Sequence, residues 1–332
     1  MKKPARMQKA QDYIWRHRRT IINRLTFRKL LNAAVNQFEY RAKKTVLRSK
    51  PLFMKVEPTY LCQIHCPACT YHQVGSKVVI PKNPNLGYDD FVKIVEPIKD
   101  YLVGISLSAR GEPTLCKDLF KMIRYCSDNN IGTDIASNLS KPFSDEDIEA
   151  SVDSGLDHVL VALDGTTQEV YEMYRIGGRL DLVLENSRRI IEAKRRKGAD
   201  HPFMEAKFIF FQHNKHQYEE AKQLSIKMGF DRFSSVLDWN DPERLSENKA
   251  AIVENRAKKR VCYWPYRTLL VGWDGAVFPC CSCDFTLGNA IADNIRDVWN
   301  NVEYRELRKA VSSGKVTSEN SKHCVGCVMF QR

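Results

Sequence analysis

Between residues 51 and 237, short apolar runs alternate with longer amphipathic stretches, and this alternation restricts the fold more than any other feature of the chain. Strands are expected at residues 52–56, 104–108, 131–136, 159–163, 206–211 and 233–237, and helices at 88–99, 119–127, 145–154, 168–197 and 216–228. Strand and helix exchanged this often require right-handed crossovers and a parallel sheet buried on both faces. Six such units suit an α/β fold of the open, partial TIM-barrel type, a (β/α)6 arrangement. In barrels ligands gather where loops leave the C-terminal ends of the strands.

Directly after the first expected strand stands Cys62-Gln63-Ile64-His65-Cys66-Pro67-Ala68-Cys69. Three cysteines so close together are not explained by packing. Thiolates on one tight loop can hold three irons of a cubane [4Fe-4S] cluster, leaving the fourth iron open to a small molecule. A zinc loop is the alternative; it requires four tetrahedral ligands, and His65 is the only nearby candidate for the fourth.

The spacing resembles the signature of the radical SAM superfamily, in which S-adenosylmethionine (SAM) chelates the open iron through its amino and carboxylate groups. Later motifs fall in phase with it. Ser108-Ala109-Arg110-Gly111-Glu112-Pro113 is similar to that superfamily's Gly-Gly-Glu-Pro turn, with Arg110 in place of the first glycine. The resemblance implies that Gly111, Glu112 and Pro113 receive the SAM ammonium group. Ser137 and Asn138 end the third strand as in relatives, although both residue types also form ordinary turns. Asp164-Gly165 ends the fourth, and Ala162 replaces a serine there, which throws weight on Arg175 as a bidentate carboxylate ligand. Gln212 and Asn214 are expected to line the same cavity. Ala68 stands where many relatives have an aromatic residue against adenine, with Tyr71 or His72 as substitutes. Cys116 and Cys126 lack partners at ligand spacing and read as buried core.

Beyond a charged stretch at residues 241–260 the cysteines return, as Cys262, then Cys280-Cys281-Ser282-Cys283, then Cys324-Val325-Gly326-Cys327. Asp274-Gly275 between apolar runs predicts a hairpin that delivers Cys280. The layout, with Gly288-Asn289 and Trp299 following, resembles the SPASM and twitch auxiliary domains. It implies a second, fully ligated [4Fe-4S] cluster on Cys262, Cys280, Cys324 and Cys327. A full SPASM domain has a further cysteine and a further cluster, so one auxiliary cluster is expected here. Cys281 and Cys283 stay unassigned, either able to replace Cys280, and a zinc site is the alternative for the tail.

The net charge of +12 has one address. Residues 1–50 hold 15 Lys/Arg against Asp12 and Glu39, while residues 51–332 hold 37 Lys/Arg and 38 Asp/Glu. Phe27, Leu30, Leu31, Ala34, Val35 and Phe38 recur at helical spacing among these cations. Three regions are therefore expected: a basic amphipathic helical arm at 1–50, a radical SAM core at 51–240 and an auxiliary-cluster domain at 241–332. The arm is read either as a helix docked with its basic face in solvent or as a binder of an anionic surface. No run of 18 apolar residues and no signal-peptide core are present, so a reducing cytoplasmic setting is expected, with peripheral contact at the inner face of a membrane.

The resemblance implies an enzyme whose first cluster is reduced by a low-potential donor such as flavodoxin or ferredoxin. SAM cleavage then yields a 5′-deoxyadenosyl radical that takes a hydrogen from the substrate. A sugar, cyclitol or sugar-lipid undergoing oxidation or epimerisation is the leading substrate reading, because the arm suits a phosphorylated or membrane-borne molecule. A peptide maturase is the first rival. An RNA-modifying enzyme and a non-catalytic iron-sulfur redox sensor rank below it, and nucleic acid is not the expected partner.

Overall fold

Apolar strand residues meet their neighbours in register, and the register decides what each face of the sheet becomes. The computed structural model describes residues 20–67, 69, 81–237, 262–281, 283 and 285–313. Strands β1 (Phe53–Val56), β2 (Gly104–Ser106), β3 (Gly132–Ser137), β4 (His158–Ala162), β5 (Phe203–Phe210) and β6 (Arg232–Leu237) pair in parallel, each with the next. β7 (Thr268–Val271) pairs in parallel with the free side of β1, and β8 (Val277–Phe278) returns antiparallel to β7. The order is β6-β5-β4-β3-β2-β1-β7-β8. The six-unit parallel sheet expected from the alternation is present.

Because side chains alternate across a strand, Met54, Ile105, Val159 and Met204 fall on one face. There they are buried with helix residues such as Phe91, Met122, Ile148 and Ile190. The opposite face runs Lys55, Ser106, Asp134 and His158 across successive partners. This inner face is polar and leads up to an open cavity.

The covering helices are α1 (Phe27–Arg41), α2 (Tyr88–Val95), α3 (Leu119–Asp128), α4 (Asp145–Asp153), α5 (Gln168–Glu172), α6 (Leu180–Arg196) and α7 (Tyr218–Met228). Short α8 (Trp264–Arg267) and α9 (Ile295–Val298) and longer α10 (Val302–Ser313) follow. The single helix expected over 168–197 is two. Gly177 turns with φ +78°, and a Cβ on Gly178 would lie 2.7 Å from the Arg175 carbonyl oxygen, so the Gly-Gly pair breaks the helix and leaves Arg175 on the connection. The Asp274-Gly275 hairpin forms as expected, with Gly275 at φ +80° and Cys280 just beyond β8.

Residues 20–50 pack against the body, as the docked-helix reading expects, but by a different face. The polar face of α1 is the buried one. Asn36 Nδ2 donates to the Tyr266 carbonyl (2.5 Å) and to Ser49 Oγ (3.0 Å). Asn32 exchanges hydrogen bonds with the Lys50 backbone, and Glu39 accepts from the Arg48 and Ser49 amides and from Ser49 Oγ. Lys29 Nζ donates to the carbonyls of Arg24 (3.1 Å) and Asn130 (2.6 Å). Backbone groups that no strand or helix satisfies thus draw the polar side of α1 inward. The C-terminal segment is equally continuous with the body: β7 extends the central sheet, and buried Arg308 of α10 donates to the Thr45, Pro265 and Trp299 carbonyls.

Two outcomes are expected. Asn36→Ala strips the Tyr266 carbonyl of a buried donor and should cost about 1–3 kcal/mol, read as a lower urea midpoint. Burial, assisted by Arg24, lowers the Lys29 ammonium to about 8. The unfolded chain keeps that proton up to about 10.4, so between these values the folded state binds fewer protons and stability rises with pH. Lys29→Met should flatten that rise in denaturation curves taken across the window.

Candidate active site

Each strand hands its loop to a common cavity at the C-terminal edge of the sheet. The cysteine loop begins six residues after β1 ends. It is pinned by the His65 amide donating to the Ile176 carbonyl (2.8 Å) and by Gln63 Nε2 donating to Asn138 Oδ1 (2.8 Å). Cys62, Cys66 and Cys69 all line the cavity, with Gly111, Glu112, Ser137, Asn138 and Arg175. Among the described residues no three His, Cys, Asp or Glu side chains meet at the spacing of one bound ion. The three thiols share a hollow rather than a point.

Glu112 organises the ends of β2 and β3. Its buried carboxylate accepts from Ser137 Oγ (2.6 Å), the Asn138 amide (2.8 Å), Thr114 Oγ1 (2.7 Å) and the Thr114 amide (3.2 Å). Its own amide donates to the Leu61 carbonyl (2.7 Å), tying the turn to the cysteine loop. Burial raises the carboxyl above its ordinary value, against the pull of these donors. Gly111 stands at φ +73°, and a Cβ there would come within 2.3 Å of the Thr59 carbonyl oxygen, so the backbone approach requires glycine.

Arg175 is held rather than free. Its Nε and Nη2 donate to Asp164 Oδ2 at 2.7 and 2.6 Å, and Nη1 points at Cys66 Sγ (3.5 Å). Burial alone would lower the guanidinium, but Asp164 and Cys66 outweigh it and raise it. The fork assigned to a carboxylate ligand is therefore already spent on Asp164, and what Arg175 presents to the cavity is its charge. Burial pushes the Cys62 thiol up to about 12 and raises Cys66 too, the latter against Arg175. A metal held by these thiols would displace their protons to solvent.

Several sequence expectations fall elsewhere. Pro113 is buried at the start of a 3-10 turn instead of on the cavity wall. Gln212 is exposed and accepts from Lys215 Nζ (3.0 Å), because Asn214 closes the turn beneath it. Asn214 is buried and donates to the Asp164 and Ile209 carbonyls, a structural role. Cys116 and Cys126 are core, as read. Ala68, Tyr71, His72, Cys324 and Cys327 lie outside the described residues.

Lys207 was missed. It stands opposite Ala162 on β5 and lines the cavity with Leu160 and Ile209. A lysine inside the otherwise apolar run 206–211 was the available signal, and its inward phase became readable only through its partner.

A second hollow adjoins the first. Cys280, Cys281 and Cys283 line it with Glu57, Ala109, Arg110, Leu270 and Phe278. Cys280 Sγ and Cys283 Sγ are 3.4 Å apart, Cys281 is exposed, and Cys262 is half-buried against the core. Arg110 is part of this second wall. It donates through Nε and Nη2 to fully buried Glu57 (2.6 and 3.2 Å) and stacks over the Phe278 ring at 4.7 Å. The arginine that replaces the first glycine of the turn thus neutralises a buried carboxylate.

The donors fit iron-sulfur chemistry, and the comparisons define the class. Residues 56–203 match the radical SAM superfamily, and residues 262–328 match the SPASM iron-sulfur cluster-binding domain. The chain carries a radical SAM domain and a C-terminal SPASM iron-sulfur domain; its cofactors are a SAM-binding [4Fe-4S] cluster, an auxiliary [4Fe-4S] cluster and SAM.

It is similar to the PqqA peptide cyclase of Bradyrhizobium diazoefficiens, 24% identical over 213 residues, covering 64% of this chain and 53% of that one. It is likewise similar to the PqqA peptide cyclase of Rhodopseudomonas palustris, 22% identical over 212 residues with the same coverage. The chain spans about half the length of these relatives. Streptococcus suis SuiB bound to SAM shares the fold at TM-score 0.63 and 18% identity, over 91% of this chain and 76% of that one. The structure of anSMEcpe with bound AdoMet does so at 0.56 and 13%, over 79% and 84%.

Arg110→Gly, which restores the superfamily glycine, should destabilise the protein by about 3–5 kcal/mol because it strands Glu57. The pair Arg110→Gly with Glu57→Gln should recover most of that loss in the same urea titration.

Proposed function

We propose that this chain is a peptide-modifying radical SAM enzyme, in which Cys62, Cys66 and Cys69 hold the SAM-binding cluster. The observation that carries the peptide reading is the kinship with two peptide cyclases over 64% of the chain. It displaces the sugar, cyclitol or sugar-lipid preference.

When bound, the cluster and SAM supply hydrogen abstraction from unactivated carbon, a task beyond any side chain. The protein's share is placement. Glu112, locked by four donors, presents a fixed acceptor edge beside Gly111 for the SAM ammonium, with Ser137 and Asn138 alongside. Arg175 and Lys207 bring positive charge to the cavity wall, where the carboxylate of SAM and the electron-rich sulfurs need it. Leu160, Ala162 and Ile209 give the remaining wall an apolar lining that keeps water from a reactive carbon.

Cys262, Cys280, Cys324 and Cys327 are the proposed ligands of the auxiliary cluster. Cys280 lines a hollow together with Arg110, which supports this reading, and a cluster held there would exchange single electrons with the substrate. The redox change would then be oxidation with bond formation in the peptide. A low-potential donor such as flavodoxin or ferredoxin supplies the first electron.

The reading is tested with anaerobically reconstituted, reduced full-length protein, SAM and short peptides encoded beside its gene. One such peptide should stimulate 5′-deoxyadenosine formation, transfer deuterium from its labelled carbon into that product, and emerge lighter by a pair of hydrogens. Stimulation by sugars or sugar nucleotides and by no peptide would restore the carbohydrate reading. Cys62→Ala/Cys66→Ala/Cys69→Ala should abolish 5′-deoxyadenosine and leave about four of about eight irons. Cys280→Ala should also leave about four, whereas Cys283→Ala should keep about eight; the reverse pattern would make Cys283 the ligand.

A further inference from the structure

The outward face of α1 is apolar. Phe27 is 82% exposed, Phe38 66%, Leu31 56% and Leu30 52%, with Ile22 and Val46 exposed beside them. The groove between α1 and the segment after it, about 1170 Å³, is lined by Leu31, Val35, Phe38 and Val46, with Arg28 and Lys44 at its edge. A helix docked in water normally hides this stripe. Here the buried side is taken by Lys29, Asn32, Asn36 and Glu39.

Charge identifies what fits the stripe. Exposed Arg41, Lys43 and Lys44 follow the helix, Arg28 is paired with Asp100, and Glu39 is buried, so no unpaired carboxylate of α1 faces outward. A second copy docked through the same face would set these cations against their own images, since a two-fold interface is self-complementary. The chain's first 19 residues carry seven Lys/Arg against one Asp, and they would place like charge on like. An anionic bilayer satisfies both features, taking the apolar side chains below the headgroups and the cations among them.

We infer that α1 is an interfacial helix that seats the enzyme on an anionic lipid surface. The seat lies at the end of the sheet away from the cavity. Thr20, just before α1, packs against Gly104 and Gly132, which begin β2 and β3, and Lys29 caps the carbonyl of Asn130 ahead of β3. The cavity occupies the opposite strand ends, so a docked molecule turns its mouth toward water. This inference is independent of the peptide reading.

The experiment is cosedimentation of reconstituted full-length protein with vesicles of phosphatidylcholine alone or mixed with phosphatidylglycerol. Binding to the mixed vesicles should be about tenfold stronger or more and should weaken as salt rises. Phe27→Ser/Leu31→Ser/Phe38→Ser, all at exposed positions, should reduce partitioning about a hundredfold while SAM cleavage and elution volume match the parent. The inference is overturned if the parent ignores mixed vesicles at low salt, if the triple variant binds them equally well, if tRNA strips the parent from them, or if the parent is a dimer that the triple variant dissolves.

Discussion

The Glu112 carboxylate is the interaction on which the upper end of the sheet depends. A carboxylate taken fully out of water is tolerated only when its lone pairs are satisfied, and here the donors come from the ends of two different strands, Thr114 after β2 and Ser137 and Asn138 at the end of β3. The Glu112 amide, donating to the Leu61 carbonyl, and Gln63, donating to the Asn138 side chain, then tie the cysteine loop to the same cluster of residues. Three loops that share no sequence proximity are thereby held in one geometry. A site that must present several thiols and a small molecule to each other gains its order from that shared acceptor.

Two further ion pairs divide the remaining work. Asp164 accepts from both Arg175 and the Ile209 amide (2.6 Å), so it fixes a cation beside Cys66 and joins the ends of β4 and β5. Glu57 and Arg110 form the second pair, on the wall of the hollow that Cys280 lines. Each pair leaves net charge near zero while placing a guanidinium against the sulfurs or an aromatic wall, which avoids an uncompensated buried charge. The arginine that stands where the superfamily's turn has glycine is thus paired with the glutamate that follows β1.

What was legible in the sequence follows from which signals are local. The strands and most helices declared themselves through period and turn residues, and the cysteine loop, Gly111 and the Asp274-Gly275 hairpin through chemistry that few alternatives satisfy. Other features depend on partners distant in sequence. Lys207 looks inward only because Ala162 is opposite, and Gln212 looks outward because Asn214 folds back on Asp164. The Arg175 fork appeared available because nothing in the sequence says that Asp164, eleven residues earlier, would claim it.

The orientation of α1 shows the same limit most plainly. Periodicity places Phe27, Leu31 and Phe38 on one side of a helix, and it is silent about whether that side meets protein or solvent. The choice was made by the lower end of the sheet, where the carbonyls of Lys50, Asn130 and Tyr266 need donors that leucine and phenylalanine cannot supply. Burying the apolar side would have left those groups unpaired at about 1–3 kcal/mol each, comparable with the roughly 1.5–3 kcal/mol that burying one large apolar side chain contributes. The two demands are of the same order, and in the structure the polar face makes the contact with the body while the apolar stripe is left for a surface outside it.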